Sequence, residues 1–315
     1  MYWAFDMSKQ ITSGRAEIGL PVELKTLRDY VRWGVSRFNQ AELYYGHGTA
    51  SALDDAVYLC LYALHLPHDF SEAYFDCALS TEEKQAVYAL LMRRVDERVP
   101  AAYLTGEAWF AGLPFYVNES VLVPRSPIAE LIGKRFEPWV DAESVENILD
   151  LCCGSGCIGI ASAYAFDWAY VDMVDISPAA IEVAEENIQR HQLEERVNVI
   201  ESNLFQSVPQ RHYDIIVSNP PYVDAEDMAD LPDEYLHEPE LGLAAGDDGL
   251  DLVIPMLQQA RQFLTDQGIL VVEVGNSQYA LQEAYPHIPF CWLEFEHGGS
   301  GVFMLTAEQL NEYKF

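Results

Sequence analysis

The chain has 315 residues, half of them hydrophobic, and its 50 acids against 18 bases give a formal net charge of −32. That length accommodates two domains with a sizeable core. No apolar run approaches the roughly 18 residues of a membrane span, and the N-terminus lacks a basic-then-apolar signal, so a cytoplasmic protein is expected. So acidic a surface repels a phosphate backbone, whose neutralisation supplies most nucleic-acid affinity, and it attracts a basic protein.

The charge is uneven: residues 1–105 hold 14 acids and 10 bases, whereas residues 106–315 hold 36 and 8. The shift predicts a domain boundary near residue 105. Ahead of it, apolar residues at three- and four-residue spacing predict helices over 21–39, 52–64 and 81–98, the last opened by Ser80 as N-cap. Tyr44–Thr49 reads as a loop, in which His47 between two glycines is a turn residue. Residues 106–123 alternate around Gly112-Leu113-Pro114 and predict a β-hairpin joining the domains. From 146 onward strands (146–151, 169–174, 197–201, 213–218, 268–274) alternate with helices (157–166, 178–191, 249–265, 276–285). That alternation is the mark of a doubly wound, mostly parallel sheet. The segments 289–295 and 301–306 have no helix between them, so they must pair antiparallel, giving the sheet a terminal antiparallel strand.

Ile148-Leu149-Asp150-Leu151 runs into Cys152-Cys153-Gly154-Ser155-Gly156 and then Gly159, a strand, a Gly-x-Gly-x-x-Gly turn and a helix start. Such a turn lets backbone approach a ligand closely, and it suits NAD as well as S-adenosylmethionine. Asp175 closes the second strand, where an acid takes the ribose diol of either. Asp150 inside the first strand favours the methyl donor, since a carboxylate there complements its cationic end. Asn203 and Leu204, after the third strand, are expected beside the adenine. Cys152, Cys153 and Cys157 have no companion histidines, and the chain has no CxxC pair, so neither a metal site nor a disulfide is implied.

The fourth strand ends in Ser218-Asn219-Pro220-Pro221-Tyr222. Two prolines remove two backbone donors and stop the strand, leaving their carbonyls as acceptors. The Asn219 side chain adds a further acceptor, and Tyr222 adds a flat face. This is a clamp for a planar NH2-bearing group, and hydride chemistry has no use for it.

Asp150-Leu151-x-x-Gly154-Ser155-Gly156 with Asn219-Pro220-Pro221-Tyr222, behind a helical domain and a hairpin, resembles the bacterial protein-glutamine N5-methyltransferases, the HemK/PrmC and PrmB family. The resemblance covers essentially the whole chain. Tyr45–Thr49, Pro124–Ile132, His237–Leu243, Glu273–Ser277 and Gly298–Thr306 look like the PrmB branch, which acts on the third large-subunit ribosomal protein, rather than the release-factor branch. It implies a class I S-adenosylmethionine-dependent methyltransferase fold over 124–315, a helical substrate-recognition domain over 1–105 and a hairpin linker over 106–123. It also implies that backbone at 152–156 meets the methionine part of the cofactor, that Asp175 takes the ribose, and that Asn203 and Leu204 flank the adenine. Asn219, Pro220, Pro221 and Tyr222 would hold the substrate amide. Cys152-Cys153 stands where relatives often have Gly-Thr, a small-for-small departure. The Asn-Pro-Pro-Tyr clamp also occurs in DNA adenine-N6 methyltransferases. Against DNA, residues 224–240 behind the clamp hold eight acids and no Lys or Arg. The same chemistry directed at peptide chain release factors, or a non-catalytic role in ribosome assembly, would also fit these residues.

Overall fold

The computed structural model describes residues 21, 23–313 and 315. Four helices open it: α1 (Leu27–Gln40), α2 (Ala52–Ala63), α3 (Thr81–Asp96) and α4 (Ala101–Thr105). The first starts later than its apolar spacing predicts. Thr26 caps it by accepting from Asp29 N, and the Asp29 carboxylate takes the amides of Thr26 and Lys25, which turns the chain out of the helix there. Ser80 and Glu83 form the same reciprocal box at α3. Tyr30, Phe38, Leu59, Val87 and Leu91 close a core private to this helical layer.

Strands β1 (Glu107–Phe110) and β2 (Leu113–Tyr116) form the expected hairpin, with one correction. The turn is Ala111-Gly112, both with positive φ (49° and 78°), and Pro114 already lies in β2 opposite Trp109. A two-residue turn of that hand matches the twist of the strands, whereas Leu113-Pro114 has no such freedom.

The main sheet contains β3 (Asn147–Leu151), β4 (Tyr170–Asp175), β5 (Val197–Glu201), β6 (Tyr213–Ser218), β7 (Leu264–Glu273), β8 (Cys291–Trp292) and β9 (Val302–Thr306). Their order is β5-β4-β3-β6-β7-β9-β8. The first five are parallel, and β9 runs antiparallel between β7 and β8. The antiparallel strand is thus last in sequence and next to last in the sheet. Successive residues serve opposite faces: Ile148, Ile215 and Val271 pack with the helices at 157–165 and 178–191, while Leu149, Ile216 and Val272 pack with those at 253–259, 278–284 and 307–312. Strands buried on both faces explain the unbroken apolar runs.

The helix expected over 249–265 is confined to Val253–Gln259, followed by a 3₁₀ turn at Ala260–Phe263. Pro255 has no amide to donate and fits only the first turn of a helix. Leu264 belongs to β7, pairing with Tyr213; its spacing from Leu257 and Ala260 makes a strand start look like a last helical turn. No helix among the described residues is long and apolar enough to cross a membrane.

Candidate active site

The chain runs from β3 outward to β4 and β5, then returns to the other side of β3 for β6 and β7. At such a reversal the carboxyl ends of the two central strands leave a crevice. A cleft of about 790 Å³ opens there, lined by the turn after β3, Asp175, the loop after β5 and Asn219–Tyr222. Carboxyl-end residues of β3, β4, β5 and β6 are therefore brought together.

The turn after β3 is tied to β4. Cys153 N donates to Val174 O at 2.9 Å, and Asp175 accepts from Gly154 N and Ser177 N, both at 2.9 Å. Burial pushes the Asp175 carboxyl above its ordinary value against the pull of those amides. Cys152 has a left-handed backbone (φ 58°), a conformation that favours glycine. A Cβ placed on Gly154 would meet nothing within 4 Å, so this glycine faces the open cleft. Gly156 faces the other way: its Cβ would lie 2.9 Å from Met173 Cε, and the residue is not on the cleft wall.

Asp150, expected to complement the cationic end of the cofactor from inside β3, is fully buried beneath the turn and off the cleft wall, with Oδ2 accepting from Gly159 N at 2.8 Å and Oδ1 without a partner. Alternation along β3 points it into the sheet face under the helix at 157–165. Burial pushes its carboxyl up to about 8, and the nearby Asp175 adds to the rise. Asn203 and Leu204 do line the cleft, held by Ser202 Oγ, which donates to Leu204 O at 2.9 Å.

The clamp follows β6. Ser218 Oγ donates to Leu151 O at 2.7 Å, fixing the strand end to β3. Asn219 Oδ1 is closed off from solvent and has no hydrogen-bond partner. The Tyr222 carbonyl accepts from Ser277 Oγ at 2.8 Å, and the Tyr222 hydroxyl donates to Glu273 Oε1 at 3.1 Å. Glu273 and Ser126 lie in stretches that carry the family resemblance, but nothing in those stretches assigns either a role in the site. The available signal is an acid closing the aliphatic run Ile269-Leu270-Val271-Val272, where a buried strand has no other reason to end in charge.

Residues 224–240 form a strap across the mouth, and their acids are not all free. Glu238 takes Arg125 in a two-pronged pair (Nη2 to Oε2 at 2.7 Å) and accepts from Val123 N. Glu234 accepts from Tyr44 N at 3.0 Å and pairs with Arg98 at 3.0 Å and Arg94 at 3.6 Å. Both carboxylates are fully buried. The strap thus holds the helical layer against the sheet; of its other acids, Asp233 pairs with Arg98 at 3.6 Å, and Asp227 and Asp230 line the cleft. His47 is buried in this joint, 3.7 Å from Glu238, and burial lowers it to about 4, so it stays neutral. It is not on the cleft wall.

Residues 137–240 match the family model of the methyltransferase small domain. A ribosomal protein uL3 glutamine methyltransferase of Francisella tularensis subsp. tularensis is 48% identical over 292 residues, covering 92% of this chain and 93% of that protein. One from Neisseria gonorrhoeae is 51% identical over 289 residues, covering 91% and 96%. The chain belongs to the ribosomal protein uL3 glutamine methyltransferase family. Among solved structures, the hMettl16 catalytic domain aligns with a TM-score of 0.48 at 16% identity, over 70% of this chain and 80% of that one. Membership fixes a class I fold that uses S-adenosylmethionine, and the residues present fit that group. The open side of Gly154 leaves room for it, and Asp175 offers carboxylate lone pairs toward a diol. No cluster of three or more His, Cys, Asp or Glu among the described residues could hold a metal.

Proposed function

We propose that this protein methylates the side-chain amide nitrogen of a glutamine in ribosomal protein uL3, working in the cytoplasm on the free protein or on an assembly intermediate. The observation that carries the reading is Asn219 Oδ1, an acceptor shut away from water with no partner, held at the end of β6 over the cleft. A buried polar atom left unpaired costs free energy, and such a cost marks a place where a ligand completes the bonding.

A glutamine amide is a poor nucleophile because its nitrogen lone pair is delocalised into the carbonyl. In our reading Asn219 Oδ1 accepts one N–H and the Pro220 carbonyl accepts the other, while Pro221 and Tyr222 pack against the flat group. Accepting both protons raises electron density on nitrogen and fixes its direction of attack. Alignment of this kind is worth up to roughly 7–11 kcal/mol. S-adenosylmethionine supplies the methyl group; Cys152, Cys153, Gly154 and Ser155 would hold its methionine end by backbone, with Gly156 shaping the turn behind them, Asp175 its ribose, and Asn203 and Leu204 its adenine. Asp150 would act from below by holding the start of the helix at 157–165 through Gly159 N, and Asn219 would border the cofactor as well as the amide. The nitrogen becomes acidic once alkylated, so its proton leaves after transfer without a strong base. We assign substrate recognition to residues 1–105, linkage to 106–123 and chemistry to 124–315.

The test is methyl transfer from labelled S-adenosylmethionine to purified uL3 and to a class I release factor, with mass spectrometry to place the methyl. Label on a glutamine of uL3 alone is expected. Label on the release factor instead overturns the substrate while leaving the chemistry.

A further inference from the structure

We propose that Glu273 is a positioning residue for the amide clamp, fixing the hydroxyl end of the Tyr222 ring without touching substrate itself; this rests on the function proposed above. Glu273 is the last residue of β7, one position beyond Val272, which pairs with Ser218 at the root of the clamp. The residue is 6% exposed. Oε1 accepts from the Tyr222 hydroxyl at 3.1 Å and Oε2 from Ser126 Oγ at 2.5 Å. Both partners are neutral hydroxyls. A buried carboxylate is costly, and held by two hydroxyls rather than by a cation it is not kept for net stability. What it gives instead is a charge-strengthened acceptor at one fixed point.

The segment after Glu273 restrains the same ring twice more. A Cβ on Gly275 would lie 2.5 Å from Tyr222 Cε2, so the ring edge rests directly on the Gly275 backbone. Ser277 Oγ holds the Tyr222 carbonyl at 2.8 Å. Backbone, ring edge and hydroxyl are thus all fixed from residues 273–277: Gly275 restrains the ring itself, and Glu273 supplies the tie that keeps its hydroxyl end from swinging about the Cα–Cβ bond. Ser126 ties Glu273 in turn, and its Oγ also accepts from Ile128 N at 3.2 Å, which anchors the arrangement to the helix at 128–133. None of these contacts reaches the turn after β3.

The experiment is a double-mutant cycle on the full-length protein with uL3 as substrate. Glu273→Ala is expected to lower kcat by about 10–100-fold, the scale set by a misplacement of about 1 Å, with the dissociation constant for S-adenosylhomocysteine unchanged. Tyr222→Phe lowers kcat by a similar factor, and the double variant is no slower than Glu273→Ala alone, because one tie is removed twice. Glu273→Gln keeps an acceptor oxygen and recovers most of the rate. Multiplying effects in the cycle, or loss of cofactor affinity in parallel with rate, overturns the proposal. If Glu273→Ala does not fold, the cycle is run with Glu273→Leu, which removes the acceptor oxygens while keeping the volume, and read the same way. A measurement without uL3 keeps the two proposals separate: the single Cα–Cβ rotamer of labelled Tyr222, read from three-bond couplings by NMR, is expected to become averaged in Glu273→Ala. An unchanged rotamer sinks the positioning role even where uL3 is methylated, and wild-type inactivity on uL3 with an averaged rotamer in the variant sinks only the substrate.

Discussion

Replacing Asn219 by alanine separates a residue kept for chemistry from one kept for folding. In the ligand-free protein its Oδ1 is buried and unpartnered. Deleting that atom removes a desolvation cost of about 1–3 kcal/mol. Against this stands the void left by the amide, roughly 30 Å³, worth about 0.7 kcal/mol at the usual cost per unit of cavity volume. The difference, about 0.3–2.3 kcal/mol, favours the variant, which is therefore expected to be at least as stable as wild type. In the transition state the same atom would face a nitrogen gaining positive character. Losing one preorganised bond at a reacting group costs about 10²–10³ in rate. Urea denaturation of the free protein and single-turnover transfer to uL3 read the two effects separately. A variant destabilised by more than about 2 kcal/mol would show Oδ1 to be a structural tie, and transfer within tenfold of wild type would show the clamp to be misassigned.

Three further outcomes are expected. Asp150 titrates near 8 in the folded chain against 3.8 as its ordinary value, so the native state holds the extra proton, and stability falls as pH rises from about 4 to 8. His47, lowered to about 4, acts in the opposite sense up to 6.5, so the slope between 6.5 and 8 is the one to read; Asp150→Asn should flatten it in denaturation curves, and an unchanged slope refutes the assignment. Gly275→Ala forces a Cβ to 2.5 Å from the Tyr222 ring at a backbone φ of 46°, an overpacking expected to cost about 1–3 kcal/mol in urea denaturation together with most of the activity. Glu238→Ala strips Arg125 of its two-pronged partner and is expected to cost about 3–5 kcal/mol, with Glu238→Gln less severe; equal stability of all three proteins would contradict the strap as a structural element.

The alternation of strands and helices, the reversal that creates the cleft and the clamp itself were legible because each has a local signature. Apolar runs of strand length, a glycine turn and a double proline act within a few residues of one another. The placement of Asp150 was not legible as written, although period-2 alternation already put it on the same side of β3 as Ile148 and off the strand's end. Glu273 and Ser126 escaped because they lie 147 residues apart and meet only across the fold. The acids of 224–240 misled for the same reason: composition counts Glu234 and Glu238 as surface, whereas their arginine partners arrive from α3, the loop after it and the segment before the helix at 128–133. Helix ends moved wherever a cap or a proline outweighed apolar spacing, as at Thr26 and Pro255.

The strap begins directly behind Tyr222 and ends pinned to both layers by Glu234 and Glu238. A change on the outside of the helical layer therefore cannot be absorbed there. It is conveyed through Arg94 and Arg98 into a segment that follows directly on the acceptor groups of the clamp. In evolutionary terms, choosing a new client and keeping the old chemistry are not independent problems for this scaffold. A lineage that shifts target must rework residues 224–240 in step with whatever surface meets the new client, or lose turnover along the way.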